Sequence, residues 1–323
     1  MNIWISIGKI WLQQNRQEIF FAVELCCQQT REHLNKELTM GLFSKKKKEV
    51  FGPFIIHLLM KEKCEMPEKQ LMNDVMAKHL GRIDCFSYSD ESAGFAVRKE
   101  MLDFNKKKMK LPPNLMIMNG IKIKEAILDD FDIAQTWDCP DAAEIIKDCK
   151  YQVIANDFLG IQLEYKTRAE MLVDFIEALV ELFPSCKALV FENSKKMISR
   201  QSVLDCKLPK EMRFIHYAVN VRFFNIQNTQ DMVIDTVGMT TLLLPDLQYH
   251  FHNVDPNHVV YHAKNVLSYI YENDNPIKPG DHIDGLQNGE MNEDIQWFVQ
   301  YEKSLIQPAR EVININMGEF AAF

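Results

Sequence analysis

The sequence predicts an α+β protein, with mixed, largely antiparallel sheets, helices packed on one face and two β-α-β-like units. Three observations predict it. Strand-like runs outnumber helical ones, short turn signals separate several of them, and the order strand, helix, strand occurs twice, from Phe54 and again from Tyr151.

Taken in order, "FIIHLLMK" reads as a buried strand and "PEKQLMNDVMAKHLG" as a helix, with Pro67 near its first turn and Gly81 after its end. Leu71, Met72, Val75, Met76 and Leu80 share one face of that helix. "IDCFSYS" and "AGFAVRKEML" read as strands joined at "DES", and Asn119-Gly120 within "NLMIMNGIKIKE" reads as a hairpin turn. After an acidic stretch, "YQVIANDF" is a strand. It precedes the strongest helix, "TRAEMLVDFIEALVELFP", in which Thr167 and Glu170 have capping-box spacing and Pro184 marks the stop. "CKALVFEN", "RFIHYAVNVRFFNI", "DMVIDTVGM", "LQYHFHN" and "REVININM" read as further strands. A helix interrupts this run, with Asp255 as its cap, Pro256 in its first turn and an apolar face from Val259 to Ile270.

These elements divide the chain into 1–39, an extension outside the fold; 40–52, a basic tail; 53–128, a β-α-β-β unit; 129–150, an acidic connection with a short helix; and 151–323, a larger α+β unit. Met40 reads as the natural start, and Lys45 to Lys48 as a solvated run. The opening apolar runs fall short of the roughly 18 residues of a membrane span, and no signal-peptide pattern is present.

Composition narrows the function. A formal charge of −8 gives no general attraction to nucleic acid or anionic lipid, so neither nucleic acid nor membrane is expected as a partner. Eight cysteines without a C-x-x-C pair suit reduced thiols in a cytoplasm. No Walker, dinucleotide, nucleophile-elbow or H-E-x-x-H signature occurs, and with 12 glycines there is little material for phosphate-cradling loops.

Two places could carry chemistry. On a strand His250 and His252 share a face, and on the helix that follows His258 and His262 share another, so the four could converge on a divalent ion. The ordinary alternative is hydrogen-bonded scaffold, and no cofactor is otherwise expected. Cys139 precedes an expected helix N-terminus, where the macrodipole would favour a reactive thiolate; Asp138 or Cys139 could equally serve only as a cap. Asp129, Asp130, Asp132, Asp138 and Asp141 form an acidic surface that would suit a cation or a basic partner.

The segment from Asp235 onward resembles the bacterial family known as domain of unknown function 4261. The resemblance is carried by Asp235 to Gly238, Leu244-Pro245-Asp246, His250-Phe251, Asp255-Pro256, and Pro308 with Arg310, and is expected to extend over Phe54 to Met317. It implies a cytoplasmic bacterial protein and no established activity. The expected function is a non-enzymatic protein-binding module, immunity-like or regulatory, with an unidentified protein partner. The alternative is a metal-dependent hydrolase using the four histidines.

Overall fold

A computed structural model describes residues 53–104 and 109–322. The expected extension and the basic tail to Gly52, with Met40 and Lys45–Lys48, lie outside the described residues. Residues 53–101 and 111–322 group by their contacts as one compact unit.

In chain order, β1 (Ile55–Met60), α1 (Lys69–Leu80), β2 (Ile83–Tyr88) and β3 (Ser92–Val97) precede a short pair, β4 (Leu102–Phe104) and β5 (Met109–Leu111), then β6 (Asn114–Lys122). Two short helices, α2 (Asp130–Ile133) and α3 (Ala142–Asp148), lead into β7 (Tyr151–Phe158), α4 (Tyr165–Leu182), β8 (Ala188–Phe191), β9 (Lys196–Ser199), α5 (Arg200–Leu204) and α6 (Lys210–Ala218). The chain ends with β10 (Asn220–Asn225), β11 (Met232–Val237), β12 (Asp246–Phe251), α7 (Pro256–Glu272), β13 (His282–Gln287), β14 (Glu290–Lys303) and β15 (Glu311–Asn316).

The α+β class holds. A seven-stranded sheet runs β2-β3-β6-β7-β1-β8-β9 with every neighbour antiparallel. A six-stranded sheet runs β10-β11-β12-β15-β14-β13, in which β12 and β15 form the parallel pair. The expected boundary between 128 and 151 does not divide the sheets, because β7 inserts between β6 and β1. Nor does the first sheet carry cover on one face only. On one side α4 buries Met171, Leu172, Phe175, Ile176, Leu179 and Val180 in the main core, each worth about 1.5–3 kcal/mol relative to exposure. On the other, Leu59, Ala188, Val190 and Met197 meet Leu128, Cys139, Ala142 and Cys149, so residues 128–149 are a cover and not a linker.

Four local expectations are corrected. Asn119-Gly120 is a bulge inside one continuous strand: the register shifts between Met118 and Ile121, Gly120 takes φ 68°, and Asn119 hydrogen-bonds Cys64. The first part of "RFIHYAVNVRFFNI" is helical, since Phe214, Tyr217 and Ala218 bury at helical and not alternating spacing. Helix α4 begins before the expected capping box, because the Glu164 side chain accepts from Thr167 N. Leu71 remains 51% exposed, outside the buried stripe of Met72, Val75, Met76 and Leu80.

Candidate functional site

A row of polar side chains crosses the six-stranded sheet. Arg222 pairs in register with Asp235, Asp235 with Gln248, Gln248 with Asn314, and Asn314 with Gln300. In-register residues on neighbouring strands project to one face, so the sequence's isolated charges inside "NVRFFN" and "MVIDTV" meet there. The row is buried at Arg222, Asp235 and Gln248 and reaches solvent at Gln300.

Its buried end is an ion network of two carboxylates and two guanidiniums. Arg222 Nε and Nη2 donate to the two oxygens of Asp235 at 2.9 and 2.6 Å. Arg310 arrives from the segment before β15 and donates from Nη2 to Asp235 Oδ2 at 2.8 Å and from Nε to Asp246 Oδ2 at 3.2 Å. Asp246 Oδ1 accepts from Met239 N and Thr236 Oγ1, and Thr236 Oγ1 accepts from Leu247 N. Equal numbers of opposite charges, each with hydrogen bonds, make burial tolerable. Burial still pushes the Asp246 carboxyl up to about 6, with Arg310 opposing and Asp235 reinforcing.

The turn Met239–Leu242 is held from a second direction. Arg168 on α4 donates from Nε and Nη2 to Asp157 Oδ2 at 3.1 and 2.9 Å and from Nη1 to Thr241 O. Gly238, at φ 138°, lets the start of this turn pack against the end of α6, since a Cβ there would lie 2.7 Å from Ala218 O and 3.0 Å from Val219 Cα. Pro245 lies between this turn and β12, and Asp255 caps α7 through Asn257 N, with Pro256 in the first turn. The motif positions Asp235, Gly238, Asp246 and Arg310 are therefore one structural neighbourhood, while Asp255 and Pro256 set a helix start.

The four histidines divide between two sides of the sheet. Tyr249, not His250, faces α7: its hydroxyl lies 2.9 Å from His262 Nδ1. His262 Nε2 lies 2.7 Å from Asp284 O. A carbonyl only accepts, so Nε2 carries the proton and Nδ1 accepts from Tyr249. Both nitrogens of His262 are thus engaged, and burial lowers its pKa to about 4. His250 alternates to the opposite face, with its Nε2 buried and unpartnered. His252 lies past the strand end, 4.0 Å from Asp231, and the His258 ring packs over Gly289. Strand pair and helix pair do not converge. Among the described residues no group of three or more His, Cys, Asp or Glu is placed to hold a metal ion.

Cys139 also departs from expectation. It precedes the Asp141 N-cap by two residues instead of standing at a helix terminus, and its thiol is buried. Burial, reinforced by Asp141 and Asp138, pushes its pKa up to about 11, the wrong direction for a nucleophile. Asp138 is occupied by Lys196, 2.8 Å away, whose ammonium also donates to Val219 O at 3.0 Å. Burial lowers the Lys196 pKa against the pull of Asp138.

Residues 131–137 wrap the outer strand β10. Phe131 stacks on Phe224 at 5.4 Å, Gln135 pairs with both N and O of Phe223, and Trp137 meets the Phe223 ring edge-on at 5.9 Å. A carboxamide thereby replaces a neighbouring strand at a sheet edge.

This geometry is the setting of the family match. Residues 235–316 match the model for the domain of unknown function DUF4261. No curated protein and no solved structure gives a significant match. The DUF4261 match begins on Asp235 and ends with β15, so it takes in Asp246, His262 and Arg310; it does not extend back to Phe54. Arg222, Asp157 and Arg168 complete the buried network from outside it. Arg168 had a readable signal, standing three and four residues before the buried Met171 and Leu172.

Proposed function

We propose that the chain is a protein-binding module of the regulatory or immunity type, acting in a bacterial cytoplasm by association and not by turnover. The carrying observation is the contrast between inside and outside. Asp235, Asp246, Arg310 and His262 spend their polar groups on one another and on the scaffold, while Phe131 and Trp137 remain 51% and 48% exposed on the clasp around β10. Half-exposed aromatic rings held by neighbours are the side chains that anchor protein interfaces. The six described cysteines are all free, which suits a reducing compartment. Among the described residues no helix is long and apolar enough to cross a membrane.

The test is purification of the tagged full chain from its native host, followed by light scattering and mass spectrometry of the eluted species. A stoichiometric protein partner is expected, and a chain that elutes alone at every salt concentration would refute the reading.

The competing reading, a metal-dependent hydrolase, draws on one observation, the buried and unpartnered Nε2 of His250. Elemental analysis after purification without a metal-affinity step separates the two: a stoichiometric ion lost in His250→Ala would favour the hydrolase.

A further inference from the structure

The chain contains two Asn-Gly pairs, Asn119-Gly120 and Asn288-Gly289, and the fold treats them in opposite ways. A glycine after asparagine has no side chain to shield its backbone nitrogen, so that nitrogen can reach the carbon of the asparagine carboxamide. Asn119 is only 7% exposed inside β6; its Oδ1 accepts from Cys64 Sγ at 3.0 Å and its Nδ2 donates to Cys64 O at 2.9 Å. Both ends of that carboxamide are held. Asn288 is exposed at the tip of the β13–β14 hairpin, and among the described residues no hydrogen bond engages its carboxamide.

The hairpin nevertheless depends on this pair. Gln287 faces Glu290 across a two-residue turn, in which Asn288 and Gly289 take φ of 53° and 85°. Positive φ at both positions matches the twist of the flanking strands and selects Asn-Gly. A Cβ at position 289 would also lie 2.6–2.8 Å from the ring of His258 on α7. Turn and neighbouring helix together fix the glycine, and the reactive dipeptide comes with it. Strand β13 is an edge of its sheet and is bulged between Asp284 and Gly285, so local opening at the tip breaks few interactions.

We propose that Asn288-Gly289 is a site of spontaneous modification, at which Asn288 is converted to aspartate and isoaspartate. The Gly289 backbone nitrogen attacks Asn288 Cγ and forms a new C–N bond. The Cγ–Nδ2 bond breaks, and the displaced nitrogen takes up the proton from Gly289 and leaves as ammonia. Water then opens the succinimide at either carbonyl, so the change is a hydrolysis without oxidant or reductant. Isoaspartate places one more carbon in the main chain, which a two-residue turn absorbs only by moving Gln287 against Glu290. Either product adds a carboxylate to a hairpin that already exposes Glu290, Glu293 and Asp294. The same edge strand supplies Asp284 O, the acceptor for His262 Nε2, so the modification loosens β13 from α7.

The test is incubation of the folded full chain at neutral pH and body temperature, with digested peptides followed by mass spectrometry and isoaspartate scored with an isoaspartyl methyltransferase. A mass gain of about one dalton is expected at Asn288, about tenfold or more faster than at Asn119. In guanidinium, where neither pair is protected, the two rates should converge. Asn288→Gln, whose longer side chain closes a ring far more slowly, should remove the signal at the tip. The aged fraction, separated by ion exchange, should show faster amide hydrogen exchange along β13 than the parent, and faster than Asn288→Asp, which adds the charge without the extra main-chain carbon. An Asn288 as slow as Asn119 in the folded chain would overturn the site. Modification that leaves exchange in β13 unchanged would overturn the loosening of the strand.

Discussion

Arg310 Nη2 stands 2.8 Å from Asp235 Oδ2 across 75 positions of sequence, and the carboxylate it reaches is completely buried. Because the same guanidinium also serves Asp246, its loss leaves Asp235 with Arg222 alone and Asp246 with hydrogen bonds but no cation. Arg310→Met is therefore expected to cost about 3–5 kcal/mol, read as a lower urea midpoint. Arg310→Lys retains charge but cannot span both acids, and recovers only part. Adding Asp246→Asn to Arg310→Met removes one orphaned charge and should restore stability relative to Arg310→Met. A midpoint unchanged in Arg310→Met would show that the network is not holding the sheet.

Stability between pH 4 and 6.5 depends on two buried groups of opposite sense. Asp246, raised from 3.8 to about 6, binds its proton more readily in the fold; its contribution is full below 3.8 and is lost as pH rises through about 6. His262, lowered from 6.5 to about 4, is held neutral; its contribution is full above 6.5 and is lost as pH falls through about 4. Each is worth up to about 3 kcal/mol, so they largely offset in the parent chain. Asp246→Asn leaves the histidine unopposed, and its unfolding free energy should fall steadily from pH 6.5 to 4. A pH curve parallel to that of the parent would remove Asp246 as a titrating group in this window.

Gly238 and Gly280 both hold positive φ, 138° and 96°, but only Gly238 is crowded: an added Cβ would meet Ala218 O at 2.7 Å, while nothing lies within 4 Å at Gly280. Both alanine substitutions carry backbone strain of order 1–3 kcal/mol. Gly238→Ala adds a clash with main chain that cannot swing aside, and should lose about 2 kcal/mol more than Gly280→Ala in paired urea titrations. Equal losses would mean that the turn at Met239 relaxes freely.

With its pKa near 11, the Cys139 thiol is ionised to about one part in a thousand at pH 8. Cys64, Cys85 and Cys206 are only partly buried. Iodoacetamide labelling mapped by peptide mass spectrometry should modify those three before Cys139 and Cys186, with all reacting after denaturation. Preferential labelling of Cys139 in the folded chain would reinstate it as a reactive thiol.

Legibility followed the range of the interactions. The start of α7 could be read because Asp255, Pro256 and the apolar stripe obey rules spanning a few residues. The helical start of α6 was misread because β-branched and aromatic residues in "RFIHYAV" satisfy a strand pattern as well as a helical one. The bulge at Gly120 and a hairpin ask for the same Asn-Gly pair, and only the pairing of β7 along both halves of β6 separates them. For the site, the sequence marked Asp235, Asp246 and Arg310 but could not join them. Register across β10, β11, β12 and β15 is a tertiary property, and it also decides that Tyr249 faces His262 while His250 turns away.

Gln135 offers a test of the clasp itself. Its Oε1 accepts from Phe223 N at 2.9 Å and its Nε2 donates to Phe223 O at 3.1 Å, so one side chain satisfies both groups of an edge-strand residue. Removing it in Gln135→Ala loses two hydrogen bonds, each worth about 0.5–1.5 kcal/mol, and should accelerate exchange of the Phe223 amide by about tenfold or more. Gln135→Glu separates the two halves: its carboxylate still accepts from the amide but cannot donate to the carbonyl, so the amide should remain more protected than in Gln135→Ala. Hydrogen exchange followed by NMR reads the difference at that one site. Equal exchange in the parent and Gln135→Ala would mean that Phe131 and Trp137 alone hold the segment against β10.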